Sequence, residues 1–128
     1  TLSVAISPCP NDTFLFAAWA EGRAGRELPI DLHFADIQQL NEWALAGRYP
    51  ICKVSFAILP RLLPTYQLLP VGAALGWRCG PLLVARSPFP LEALGTKRVA
   101  LPGRDTTARL LLEQFAPPPL ESRFYPFH

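Results

Sequence analysis

Twice along this chain an apolar segment of strand character runs through a turn of Pro, Gly and small polar residues into a helical pattern, and that repetition constrains the fold more than any other feature. In the first instance Leu2, Val4 and Ile6 alternate ahead of Ser7-Pro8-Cys9-Pro10-Asn11-Asp12-Thr13-Phe14. In the second, residues 97–101 lead into Pro102-Gly103-Arg104-Asp105-Thr106-Thr107-Ala108. Period-two alternation suits a half-buried strand, and helix starts collect Ser, Thr, Asn, Asp and Pro. Strands that alternate with helices build βαβ units, so the expected class is α/β, with a parallel sheet and helices on its faces.

The remaining segments fit that scheme. A helix is expected over residues 12–22 and a strand at Ile30-Asp31-Leu32-His33-Phe34. A second helix follows, with a capping-box spacing of Asp36 to Gln39, an apolar face of Ile37, Leu40 and Ala44, and Gly47 as its stop. Residues 51–56 read as a strand, and residues 56–66, which contain Pro60 and Pro64, as a short interrupted helix. Residues 67–73 and 82–86 are two further strand candidates around a Gly-rich turn. Trp19, Trp43 and the Phe residues at helical spacing are expected in the core.

Between residues 87 and 96 the composition shifts to Pro, Gly and small residues, a plausible crossing into a second lobe. This divides the chain into a first lobe at residues 1–95 and the start of a second at 96–128. The second carries a helix over residues 109–115, with Leu110, Leu111 and Phe115 as its apolar set, and a strand over 122–125 after Pro117-Pro118-Pro119. A lone strand-helix-strand unit cannot cover both faces of a sheet, so this lobe is expected to be incomplete.

Composition narrows the functional classes. With 128 residues, half of them hydrophobic, the chain can bury a core. A net charge of +2, with ten Arg and two Lys scattered along the chain, gives no nucleic-acid footprint. No apolar run is long enough to span a bilayer, so no membrane partner is expected. Cys9, Cys52 and Cys79 are odd in number and lack CxxC spacing, which argues against a disulfide framework and a zinc site and favours a reducing, cytoplasmic location. The chain has no Met, so its N-terminus is expected to be trimmed.

In open α/β sheets ligands bind beyond the carboxyl ends of the strands. Three segments are expected to converge there: residues 7–13, Lys53-Val54-Ser55, and residues 105–108. Lys53 offers a point charge, Ser55 a hydroxyl, Thr106 a cap, and Thr107 with Ala108 the free amides of a helix start. Asn11 and Asp12 are caps first and ligand groups second. The set suits a small, oxygen-rich ligand. Cys9 reads as a packed residue, having no His or second Cys beside it. Gly72-Ala73-Ala74-Leu75-Gly76 is neither a P-loop nor a dinucleotide fingerprint. No Ser/His/Asp arrangement can be drawn; His33 lies mid-strand and His128 is terminal, so no catalytic residue is assigned.

Together, Ser7-Pro8-Cys9-Pro10-Asn11-Asp12-Thr13-Phe14, Leu40-Asn41-Glu42-Trp43-Ala44-Leu45, Lys53-Val54-Ser55-Phe56, Gly72-Ala73-Ala74-Leu75-Gly76 with Cys79-Gly80-Pro81-Leu82, and Pro102-Gly103-Arg104 with Thr106-Thr107-Ala108 resemble the 1,4-dihydroxy-6-naphthoate synthase family. The resemblance covers nearly the whole chain in order. It implies a two-lobed fold similar to periplasmic solute-binding proteins, with the substrate in the cleft. It further implies a lyase that cleaves cyclic dehypoxanthinyl futalosine to 1,4-dihydroxy-6-naphthoate and dihydroxyacetone in menaquinone biosynthesis, without metal or organic cofactor. Lys53, Val54, Ser55, Thr107 and Ala108 match the family's substrate-binding positions.

The family's catalytic base is a His in a later segment of the second lobe. Its longer chain also returns to complete the first lobe, so this sequence is expected to be an N-terminal part with little activity by itself. Two alternatives stand beside the lyase: a small-molecule, carboxylate-binding module without catalysis, and the chorismate dehydratase of the same pathway, which shares the fold. An exposed apolar patch on the unfinished lobe would favour self-association.

Overall fold

The computed structural model describes residues 1–73 and 75–126. Its centre is β1 (Leu2–Ile6), flanked in parallel by β2 (Ile30–Phe34) and β3 (Ile51–Cys52) in the order β2-β1-β3. The register pairs Leu2 with Ile30 through Ile6 with Phe34 on one side, and Val4 with Ile51 and Ala5 with Cys52 on the other. Val4, Ala5 and Ile6 are all fully buried, which a central parallel strand requires because packing covers both of its faces. The expected mixed α/β architecture with a small parallel sheet is what the chain forms.

The first crossover carries α1 (Pro10–Ala20), which starts two residues earlier than the sequence suggests. Pro10 occupies the first turn, where its missing N–H costs nothing. The second carries α2 (Ile37–Leu45), capped by Asp36, whose Oδ1 accepts from the amides of Gln38 at 2.9 Å and Gln39 at 3.1 Å. Only half of the expected capping box forms, since the Gln39 side chain turns forward to Glu42. Gly47 ends the segment at φ +65°, as its position predicted, and donates to the Ala44 carbonyl.

One face of α2 fills the core. Leu40 packs with Ala5 and Tyr49, and Ala44 with Ile58 and Leu62. Tyr66 ties the two groups together by donating to the Tyr49 carbonyl at 2.8 Å. Trp43 is half-buried against Tyr49, and Trp19 is half-buried with its Nε1 donating to the Leu28 carbonyl at 2.7 Å. Phe14 departs from the expected core set, being 86% exposed on α1.

Strand β3 is shorter than residues 51–56. One further bond, from the Lys53 amide to the Ala5 carbonyl at 2.8 Å, follows it before the chain leaves the sheet. A 3-10 turn at Phe56–Ile58 and α3 (Leu59–Leu62) come next, which is the interrupted helix expected from Pro60 and Pro64. The strands expected at residues 67–73 and 82–86 do not form. Leu68, Leu69, Val71, Leu82, Leu83 and Val84 are exposed, and their β-compatible sequence meets no edge to pair with among the described residues.

A 3-10 segment at Leu91–Thr96 buries Leu94 completely and leads to β4 (Arg98–Leu101). Helix α4 (Thr107–Phe115) then connects to β5 (Glu121–Phe124), which pairs with β4 in parallel from Arg98 with Glu121 to Leu101 with Phe124. All of β5 is exposed and α4 buries none of its residues; Phe115, expected to face inward, is 75% exposed. No described helix is long and apolar enough to cross a membrane.

Candidate binding site at the strand ends

At the carboxyl end of β1 the chain turns through Ser7, and Asp12 in the first turn of α1 reaches back to it. The buried Asp12 carboxylate accepts from the Ser7 amide at 3.1 Å and from Ser7 Oγ at 2.5 Å. Lys53, just beyond β3, donates from Nζ to both Asp12 oxygens at 2.6 and 2.7 Å. Asp12 is thus a clamp between two adjacent strand ends rather than a simple cap, and Lys53 spends its charge on it. Asn11 is exposed, and its side chain makes no hydrogen bond to a described residue.

Two residues after Lys53, Ser55 enters a second network. Asn41, wholly buried on α2, accepts from the Ser55 amide at 2.8 Å and donates from Nδ2 to Ser55 Oγ and to the Asp105 carbonyl, each at 3.0 Å. Asp105 is held further: its amide donates to Gln38 Oε1 at 2.9 Å, and its carboxylate accepts from Gln38 Nε2 at 3.1 Å and Arg61 Nη1 at 2.8 Å. Sequence reasoning missed Asn41, Gln38 and Arg61. The available signal was a polar residue, Asn41, set between Leu40 and Ala44 on the buried face of α2.

These bonds dock the turn before α4 against α2 and α3, so that the start of α4 lies beside the segment after Ser55. Thr107 Oγ1 accepts from the Ala57 amide at 3.2 Å. Thr106 is a cap with its hydroxyl fully engaged, donating to the Gly103 carbonyl at 3.0 Å and accepting from the Arg109 amide at 3.5 Å. The amides of Thr107 and Ala108 have no partner among the described residues. They are the orphan donors of a helix start, at its positive end. Val54 packs beneath, against Ala44, Ile58 and Leu62.

The structure therefore brings Lys53, Val54, Ser55, Thr106, Thr107 and Ala108 into one connected region; Asn11 adjoins it through Asp12 and contributes no side-chain hydrogen bond to it. Its chemistry is that of donors: two hydroxyls, two free amides and an ammonium already matched to a carboxylate. Nearby Cys52 has its thiol pushed up to about 11 by burial, while Sγ contacts the Leu40 and Lys53 carbonyls at 3.5 Å. It stays a neutral thiol. His33 stands away from this region, beside Asp31 at 3.1 Å and against the Tyr49 ring. No group of three His, Cys, Asp or Glu among the described residues could hold a metal.

Two open depressions lie elsewhere. One of about 440 Å³ is lined by residues such as Leu82, Val84 and Phe89, and one of about 300 Å³ by Leu101, Leu112 and Pro117. Both are walled mainly by apolar side chains, and neither contains the strand-end donors.

A profile of the family described as menaquinone biosynthesis matches residues 2–123, a span that includes both networks. The chain belongs to the menaquinone biosynthesis family. Two curated relatives in sequence are both named 1,4-dihydroxy-6-naphthoate synthase. That of Thermus thermophilus is 47% identical over 115 residues, covering 90% of this chain and 42% of the relative. That of Streptomyces coelicolor is 45% identical over 116 residues, covering 91% and 40% respectively. The chain thus spans about two-fifths of the length of these relatives. A crystallised Archaeoglobus fulgidus protein matches with a TM-score of 0.89 and 35% identity, over 98% of this chain and 46% of that one.

Proposed function

We propose that this chain forms part of a lyase that cleaves cyclic dehypoxanthinyl futalosine to 1,4-dihydroxy-6-naphthoate and dihydroxyacetone, in the cytoplasm. The observation that carries the reading is the cluster of unspent donors at Ser55, Thr107 and Ala108, on segments that lie within the span matched by two relatives of that name. Residues 1–95 are read as most of one lobe of a binding-protein-like fold and residues 96–128 as the opening of the second, with the substrate between them.

In this reading the donors grip oxygen atoms of the substrate and fix its orientation. Lys53, neutralised by Asp12, keeps the region's charge balanced and locks the ends of β1 and β3 together. The base that starts cleavage by removing a proton is the His that the family resemblance places in the second lobe. A positioned base contributes about 10² to 10⁴-fold, and the donors contribute by holding the substrate where that base can act.

The test is to express the intact reading frame and incubate the product with cyclic dehypoxanthinyl futalosine, following it by liquid chromatography and mass spectrometry. Formation of 1,4-dihydroxy-6-naphthoate supports the reading. Recovery of unchanged substrate from a folded protein contradicts it, and consumption of chorismate instead would assign the dehydratase.

A further inference from the structure

We infer that Asn41 is a positioning residue that makes the Ser55 hydroxyl a hydrogen-bond donor toward a ligand oxygen, and that the Ala57 amide does the same for Thr107. The inference rests on the reading of the strand ends as the ligand site. A hydroxyl has one hydrogen to give and two lone pairs to accept with. Asn41 Nδ2 gives one hydrogen to Ser55 Oγ and the other to the Asp105 carbonyl, while Oδ1 takes the Ser55 amide hydrogen. This sense of the amide is forced. Turned over, it would set NH₂ against the Ser55 N–H and an oxygen against the Asp105 carbonyl, losing both of those bonds and keeping only one to the Ser55 hydroxyl, with its direction reversed.

With its oxygen already accepting, Ser55 has its hydrogen left to place, and no described group within reach accepts it. Ser55 is only 7% exposed, so an unused donor there is costly until an acceptor arrives. Thr107 repeats the arrangement, with the Ala57 amide feeding its oxygen and no described acceptor for its hydrogen. Both hydroxyls therefore select for a group that only accepts. A carboxylate fits that demand best, because it has lone pairs for several donors and no hydrogen to clash with them. A carboxamide, which presents hydrogens as well, fits less well.

The experiment measures the affinity of the intact protein for 1,4-dihydroxy-6-naphthoate and for its carboxamide, in the wild type, Asn41→Asp, Ser55→Ala and the double variant. In Asn41→Asp the new carboxylate oxygen accepts the Ser55 hydrogen and turns the hydroxyl inward, so the ligand meets lone pairs. The preference for carboxylate over carboxamide is expected to fall about tenfold, a change of roughly 1.4 kcal/mol. On the Ser55→Ala background the same substitution is expected to move that preference little. An unchanged preference in Asn41→Asp overturns the inference, and an equal fall on both backgrounds overturns it by assigning the effect to the added charge.

Neutron diffraction from wild-type crystals provides a second measurement that needs no variant. The Ser55 deuteron is expected to point away from Asn41 in the ligand-free crystal; a deuteron directed at a protein acceptor overturns the inference. That result is independent of turnover, so a protein with the deuteron as stated and no lyase activity would refute the proposed reaction and leave the positioning role in place.

Discussion

Lys53 and Asp12, 41 residues apart in sequence, meet at 2.6 Å where β1 and β3 end side by side. The pair ties the strand ends together where the candidate site begins, because Lys53 is followed directly by Val54 and Ser55. Asp12 also holds Ser7 through two hydrogen bonds, so one carboxylate fixes the exit of both strands.

Asp12→Ala is expected to destabilise the fold by about 1 to 3 kcal/mol, the cost of leaving the Ser7 amide and hydroxyl and the Lys53 ammonium without their acceptor. Lys53 is partly exposed and recovers water on losing Asp12, which keeps the loss below that of a fully buried pair. Urea denaturation of the two proteins measures it; an unchanged midpoint would show the cluster to be decorative.

Ser55→Ala and Thr107→Val in the intact protein should each weaken substrate binding by about 0.5 to 1.5 kcal/mol, the range for one neutral hydrogen bond. Isothermal titration checks this. Thr106→Val serves as the contrast: its hydroxyl is spent on capping α4, so it should lower stability by about 0.5 to 2 kcal/mol while leaving the ligand-facing donors present.

Cys52 sets a pH dependence. Its folded-state thiol titrates near 11, against an unfolded value near 9.0, because burial disfavours the thiolate. Between those values the unfolded chain has released the proton and the folded one still holds it, so stability falls as pH rises from about 9 toward about 11 and is unaffected by this group below that window. Cys52→Ala should flatten that fall. Alkylation followed by peptide mapping should also find the exposed Cys79 modified before Cys52.

Gly103→Ala should loosen the docking of the α4 turn. A Cβ at Gly103 would sit 2.5 Å from Gln38 Oε1 and 2.8 Å from Gln38 Cβ, and the latter cannot swing away without moving α2. Gln38 would lose its paired bonds to Asp105, at a cost of about 1 to 3 kcal/mol read from thermal denaturation. A variant as stable as the wild type would show that the turn docks by other contacts.

The α/β class, α2 with its Asp36 and Gly47 boundaries, and the parallel strands were legible because local periodicity and capping agree with the tertiary arrangement. The residues 67–73 and 82–86 read as strands because their composition suits one, but a strand exists only where an edge accepts it, which is not a local property. Asp12 was read as a cap because it opens a helix, while its partners are Ser7 behind it and Lys53 across the sheet. Asn41 carried its signal in an apolar stripe, yet its partners lie 14 and 64 residues away, and no spacing rule reaches that far. Segment convergence anticipated that Ser55 and the Thr107–Ala108 helix start lie near one another, because both follow strand ends of the same βαβ pattern; Asn11, exposed on α1, makes no side-chain hydrogen bond to that network.

The most direct test of the account is a crystal structure of the intact protein with 1,4-dihydroxy-6-naphthoate bound. An oxygen of the ligand is expected within hydrogen-bonding distance of Ser55 Oγ or Thr107 Oγ1, with Asn41 still bonded to Ser55. A ligand seated instead in the apolar depression around Leu82 and Phe89, with both hydroxyls untouched, would contradict it.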